Sequence, residues 1–391
     1  MTALISTVAL GAEVLGSPMD TAMHNKNQNI WFMLMLVAFL MIFIRKFEWG
    51  VCLATILCSA STFLVYMALQ EFIILRNPAE AWSQNIMIAG VVCAITLVIA
   101  IGVFVGTLQS WLYIPLGILF APCYIGMEYI LFTGIPNLAH GPVTDPGGGI
   151  LVHLFAAYWG LGIALAIREK RVFDEPMFTS KHSVTFAFLA AMLLFILWPS
   201  FVTATMSLEE STSVMANCYM SGFGSMLAAF VTCRLVGKKI NPLVYMYAML
   251  AGPVGSSSSL LLTGPWGSLV IGIVAGSLSA LAFTYLQPLM SKKLGVVDVM
   301  GVHQLHGVGG WVSLVGGAIL VGSGINILAG FATVVWGIIT GLIAGYVIKV
   351  MRGHMEVIFS DEAEFDGHCP DPNPEVADTS KANVYGLNTE S

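Results

Sequence analysis

Apolar residues run in long blocks along this chain, and charges or turn residues interrupt them at intervals. The blocks fall near residues 29–45, 50–75, 84–106, 109–132, 147–167, 184–206, 212–233, 243–263, 266–287, 301–322 and 326–350. A bilayer core of about 30 Å is crossed by a helix of about 20 apolar residues. The pattern therefore predicts eleven transmembrane helices in an all-α polytopic membrane protein. The segment Thr2–Gly16 is too short for a span, contains Glu13, and lacks the basic start of a signal peptide. It is expected to be extracytoplasmic or interfacial, with an extra helix or an uncleaved signal as alternatives. Residues 1–28 thus precede a membrane domain at 29–350, and 351–391 form a tail.

Composition agrees with this reading. Of the 391 residues 57 % are hydrophobic and 10 % charged, against about 25 % charged in a soluble domain. That excludes a soluble enzyme, a nucleic-acid binder and a disordered chain. The 40 glycines suit closely packed membrane helices. Basic residues set the orientation. With the N-terminus outside, thirteen fall in cytoplasmic loops or just after the last span: Arg45, Lys46, Arg168, Lys170, Arg171, Lys181, Arg234, Lys238, Lys239, Lys292, Lys293, Lys349 and Arg352. Only Lys26 and Arg76 fall outside, while Lys381 lies further along the tail. A cell-membrane protein with N-terminus out and C-terminus in is expected. The tail is acidic (Asp361, Glu362, Glu364, Asp366, then Cys369-Pro-Asp-Pro-Asn-Pro), and reads as a short ordered stretch with a flexible end that offers a site for a cytoplasmic regulator. The seven cysteines show no metal or disulfide spacing.

The two halves echo each other. Spans one to five and six to ten form inverted five-helix repeats, with a final long helix left over. The fifth span opens Asp145-Pro146-Gly147-Gly148-Gly149 and carries His153; the tenth opens Asp298-Val299-Met300-Gly301 and carries His303. Intramembrane histidines are functional candidates, and inverted repeats build sites near the midplane. Asp145 and Pro146 read as N-cap and first helical residue. His153 is then about 12 Å inside its helix start and His303 about 7–8 Å from Asp298. Entering from opposite faces, the two rings are expected to meet. Each Asp also has a sufficient role as a helix cap.

These residues resemble the ammonium transporter/Rhesus family, and its Rhesus branch most. The fifth span, from Asp145 through His153 to Leu161, resembles the Rhesus pattern D-x-G-G-x-x-x-x-H-x-F-G-A-Y-F-G-L, and Gly301-Val-His303-Gln-Leu-His306-Gly307 resembles G-x-H-N-L-H-G. Trp198-Pro199-Ser200-Phe201 matches W-P-S-F, and Gly102-Val-Phe-Val-Gly106 and Glu128-Tyr-Ile-Leu131 resemble the third and fourth helices. The resemblance implies a homotrimer with one pore per protomer. It implies that His153 and His303 are twin pore histidines, that Phe201 is one of two stacked gate phenylalanines, and that Asp145 is the acidic residue near the vestibule. By ungapped alignment from Gly102 the second gate phenylalanine falls at Val92, so a less occluded outer mouth is expected. Asn217-Cys218-Tyr219 and the serine-rich Ser256–Ser259 also depart from the family pattern.

The chemistry expected is conduction of ammonia or ammonium, crossing as NH₃ because an unpaired cation is costly to bury. Two neutral imidazoles can share one N–H···N bond. Phe201 is suited to hold an arriving cation by a contact worth about 0.5–2 kcal/mol. Glu128 reads either as a vestibule carboxylate or as a helix-packing hydrogen bonder. His303 and His306, one turn apart, lack the companions a metal site needs, so no metal or cofactor is expected. Gly337, Gly341 and Gly345, and Gly272 and Gly276, are expected to serve packing. A CO₂ or small-gas channel and an ammonium sensor are the alternatives; an enzyme is not expected.

Overall fold

The computed structural model describes residues 18–365 apart from 176, 205, 238, 356 and 363, with side chains from residue 21. Thr2–Gly16, Lys238 and the tail with Asp366, Cys369 and Lys381 lie outside the described residues. Helix α1, Pro18–Met41, begins well before the apolar block at 29 and has a polar first half. Then follow α2 (Glu48–Ile74), α3 (Gln84–Ile101), α4 (Ser110–Ala139), α5 (Gly149–Ile167), α6 (Lys181–Val202) and α7 (Leu208–Val236). Two short helices come next, α8 (Pro242–Ala248) and α9 (Ala251–Ser256). Helices α10 (Pro265–Leu294), α11 (His303–Val321) and α12 (Ile325–Arg352) complete the bundle. Among the described residues, the nine helices other than α1, α8 and α9 are long and apolar enough to cross a membrane. Leu64, Phe72, Ile319 and Val350 are exposed, as lipid-facing side chains are.

Two of the expected spans are not continuous helices. The third leaves helix after Ile101, and the eighth breaks around Leu250 and ends at Ser256. Non-helical backbone is tolerated at membrane depth only where protein buries it, and residues 102–107 and 257–260 are buried. Their polar groups pair across the two halves. Val299 and Met300, just before α11, donate to the carbonyls of Val103 and Gly102 at 3.0 Å each. Gly147, just before α5, donates to the Ser257 carbonyl at 3.1 Å. The unwound end of the third span thus holds the start of the tenth, and that of the eighth holds the start of the fifth.

Small residues set the closest helix contacts. Gly337, Gly341 and Gly345 of α12 lie on α5: a Cβ at Gly341 would overlap the Trp159 carbonyl, and one at Gly345 would press on Ile163 and Ala166. Gly272 and Gly276 of α10 lie in the same way on Ser221 and Ser225 of α7. The face bearing Arg45, Lys46 and Arg352 is tied together by carboxylates. Glu169, just past α5, accepts from Arg171 Nε at 3.0 Å, from a second Arg171 nitrogen at 2.8 Å, and from Arg352 at the end of α12. Asp361 accepts from the amides of Glu48, Trp49 and Gly50 at 2.8–3.0 Å, and so caps α2. Glu364 accepts from the Ser110 amide at the start of α4. Phe359 donates its amide to the Gly106 carbonyl at 3.0 Å, and its ring is buried. The first part of the tail is therefore docked.

Gly341→Leu is expected to cost at least about 2 kcal/mol, since over-packing a close contact typically costs about 1–3. Gly316→Leu, which meets only a side-chain tip at 4.0 Å, should stay within about 0.5 kcal/mol; thermal unfolding in detergent compares them. Hydrogen bonds from Arg171, opposed by partial burial and helped by Arg352, hold the Glu169 carboxyl down at about 2. A folded value below the ordinary carboxylate value of about 4.3 contributes stability that is present above that pH and is lost as pH falls toward 2. Glu169→Gln should lower the thermal midpoint at pH 7, and the gap to the unchanged protein should narrow between about pH 5 and pH 3.

Candidate functional site

Helices α5 and α11 start in the same way. Gly148 and Gly301 take the left-handed conformation, with φ of 73° and 70°, which side chains rarely adopt. Each donates its amide to the carbonyl of the aspartate three residues before it, Asp145 or Asp298, at 3.2 Å. The carboxylates then take up the free amides of the first turn. Asp145 accepts from Ile150 at 3.0 Å and Leu151 at 2.9 Å; Asp298 accepts from Val302 at 2.9 Å and His303 at 2.7 Å. Both helices open with a wide π turn, Gly149–Leu154 and His303–Gly307. Such turns are frequent at functional sites.

Asp145 is consequently not the N-cap with Pro146 as first helical residue. The helix begins at Gly149 with Gly148 as its cap, and the aspartate reaches in from further back. The serine-rich stretch has a use here. Ser258 donates to Asp145 at 3.0 Å, and Ser313 donates to the Ser258 hydroxyl at 2.8 Å.

The ring that meets His153 is His306, not His303. Their Nδ1 atoms are 3.0 Å apart, and the rings stack at 5.0 Å with 15° between planes. Nδ1 of His303 instead faces Asp298 Oδ2 at 3.1 Å, with the ring edge-on to Tyr158 at 5.3 Å. The reason is spacing. Both halves read Asp, then Gly three residues on, then His eight residues on: Asp145, Gly148, His153 and Asp298, Gly301, His306. His303 is five residues from Asp298, close enough to hydrogen-bond its own cap. The eight-residue spacing is present in the sequence, but only the contact with His153 distinguishes it from the five-residue spacing to His303.

A cavity of about 30 Å³ adjoins the two rings, room for one or two water-sized molecules. Met33, Val37 and Leu40 line it from α1, and Ile95 and Ile99 from α3. Leu194, Trp198 and Phe201 line it from α6, with Leu250 and Leu305. Among the described residues of this wall, His153, His306 and Trp198 carry the only side-chain nitrogen or oxygen atoms. Trp198, absent from the expected site residues, stacks on His153 at 5.8 Å; its signal was the three-residue step to Phe201. The Phe201 ring lies 6.1 Å from that of His153. Among the described residues, His153 Nε2 and the Trp198 N–H are buried without partners.

The other expected site residues lie off the wall. Val92 sits one turn along α3 from Ile95 and is partly buried. Glu128 is half-buried and accepts from the Tyr66 hydroxyl at 3.3 and 3.4 Å, a contact between α2 and α4. His303 and Asp298 bond each other below His306.

The sequence model of the Ammonium Transporter Family matches residues 1–367. The chain belongs to that family. Within the ammonium transporters its likeness is to the Rhesus type. It is similar to the ammonium transporter Rh type B of Bos taurus, 30 % identical over 297 residues that cover 73 % of this chain and 63 % of that protein. It is similar to the Rhesus-like glycoprotein B of Dictyostelium discoideum, 28 % identical over 62 % of this chain and 41 % of that one. The chain thus spans less than two thirds of these relatives' lengths. The solved structure of Rh50 from Nitrosomonas europaea, of the Rhesus protein family of channels, is 30 % identical, with a TM-score of 0.85 over 91 % of this chain and 93 % of that one. The matched family is one of transporters, and the Rh type B relative and Rh50 are a transporter and a channel rather than enzymes; this ammonium transporter family member is a multi-pass helical membrane protein.

Gly301→Ala is expected to cost more than Gly295→Ala. Both pay for a positive φ, about 1 kcal/mol or more, but only a Cβ at Gly301 overlaps the Phe283 ring, while Gly295 faces open space. Thermal midpoints of the two variants measure the difference.

Proposed function

We propose that the chain is a membrane channel for ammonia and ammonium nitrogen, that each chain carries its own conduit through the His153–His306 cavity, and that the crossing species is NH₃. The observation that carries this is the pair of imidazoles 3.0 Å apart in a wall otherwise made of aliphatic side chains, Met33, Trp198 and Phe201. A bound cation there would have no counter-charge, and burying an unpaired charge costs several kcal/mol. Neutral imidazoles bridged through Nδ1, one donating and one accepting, leave ring nitrogens of both kinds to meet a small polar guest. Asp145 and Asp298 support the pair by fixing the helix starts that carry it. The likeness to Rh50, a channel, and to Rh-type ammonium transporters supports the same reading.

The excess of Lys and Arg on the face bearing Arg45 and Arg352 supports an orientation with that face, and the tail, in the cytoplasm. Phe201 then sits toward the outer mouth. The Rhesus likeness supports a homotrimer. In proteoliposomes an ammonia gradient should alkalinise the lumen faster than in protein-free vesicles, with no sustained current. His306→Phe, which fills the cavity, should slow this at least tenfold. A steady ammonium-dependent current in the unchanged protein would overturn passage as NH₃.

A further inference from the structure

Lys26 is one of only two Lys or Arg residues that the orientation places outside. It lies on α1 two helical turns before Met33, on the same face as Met33, Val37 and Leu40, whose side chains line the cavity. At 1.5 Å per residue that is about 10 Å further toward the mouth. The ammonium reaches across to the end of α6. It donates to the Thr203 carbonyl at 2.7 Å and to the Ser211 hydroxyl at 3.0 Å. Thr203 follows Phe201 by two residues, and Phe201 is in the cavity wall. Asn29, one turn on along α1, donates to Ser200 of α6 at 2.9 Å. These contacts hold the side chain, and its half-buried charge, beside the mouth.

Both hydrogen-bond partners are neutral oxygens, so the charge is not cancelled where it sits. Glu209 and Glu210 open the helix that carries Ser211, but both are exposed to screening, and Glu210 is taken up by Ser207. A cation held against the Phe201 ring would stand close to this fixed positive charge. A neutral guest would not be repelled.

We propose that Lys26 is a specificity-determining residue that disfavours cations at the Phe201 mouth and leaves the conduit to neutral guests. This rests on the reading of the cavity as a conduit, and it reverses the expectation that Phe201 gathers cations. Two unit charges several Å apart near a protein surface repel enough to change occupancy about tenfold.

Equilibrium binding of radiolabelled methylammonium to the purified full chain tests this without requiring conduction. Lys26→Gln keeps a donor for the Thr203 carbonyl and removes the charge; it should bind methylammonium about tenfold more tightly. Lys26→Arg should bind like the unchanged protein, whereas a role limited to capping α6 predicts no difference among the three. Should the Gln variant fail to fold, the unchanged protein gives a second reading. Raising ionic strength from about 10 mM to about 150 mM with a bulky organic salt shortens the screening length from about 30 to about 8 Å, and methylammonium binding should tighten. Binding that weakens or ignores salt, or a Gln variant that matches the unchanged protein, overturns the proposal. Proteoliposome flux is measured separately, so loss of the conduction reading leaves the binding comparison intact.

Discussion

The arrangement depends on how two helices begin inside the protein. Buried amides with no acceptor cost several kcal/mol each in an apolar medium, so a helix starts there only if something accepts its first N–H groups. Asp145 and Asp298 do this for α5 and α11. Each carboxylate bridges a left-handed glycine turn and fixes the π turn that follows. The π turns in turn set which residues point inward eight positions after each aspartate. Neighbours hold the carboxylates: Ser258, itself bonded to Ser313, on one, and His303 on the other. The backbone on both sides is tied by the unwound ends of the third and eighth spans. The site is therefore built from two matching corners, each completed by the opposite half.

A consequence is the division of labour between two neighbouring histidines. His306 spends a ring nitrogen on His153, while His303 spends one on Asp298. Both are buried or nearly so, and they are one turn apart, yet one belongs to the cavity and the other to the cap. Because Asp298 already accepts two backbone amides, its bond to His303 adds a third anchor to the same corner. The wall left around His153 and His306 is uncharged and mostly apolar, and neutral guests suit such a wall because they bring no charge to be compensated.

The face with most of the basic residues is held by a different device. There Asp361 and Glu364 accept amides at the starts of α2 and α4, and Phe359 donates its own amide to the Gly106 carbonyl. The tail thereby joins the starts of α2 and α4 to the loop after α3. Glu169 with Arg171 and Arg352 clamps the end of α5 to the end of α12, continuing the glycine seam along which these two helices pack. Contacts of this kind link parts of the chain that are 183 to 313 residues apart.

The blocks of apolar residues determined the membrane helices, because a bilayer demands length and hydrophobicity locally. The small-residue steps on α10 and α12 determined where helices approach. Asp145, Asp298 and His153 were legible as a repeated corner for the same local reason: caps and turns are read from neighbours in sequence. Three things were not. The unwinding after Ile101 and around Leu250 depends on partners in the other half. The place of Glu128, on Tyr66 rather than in the cavity wall, depends on how α2 packs on α4. The choice of His306 over His303 depends on the π turn and on which ring Asp298 captures. Each is a competition between hydrogen-bond partners distant in sequence, and only the packed tertiary structure brings the competitors together.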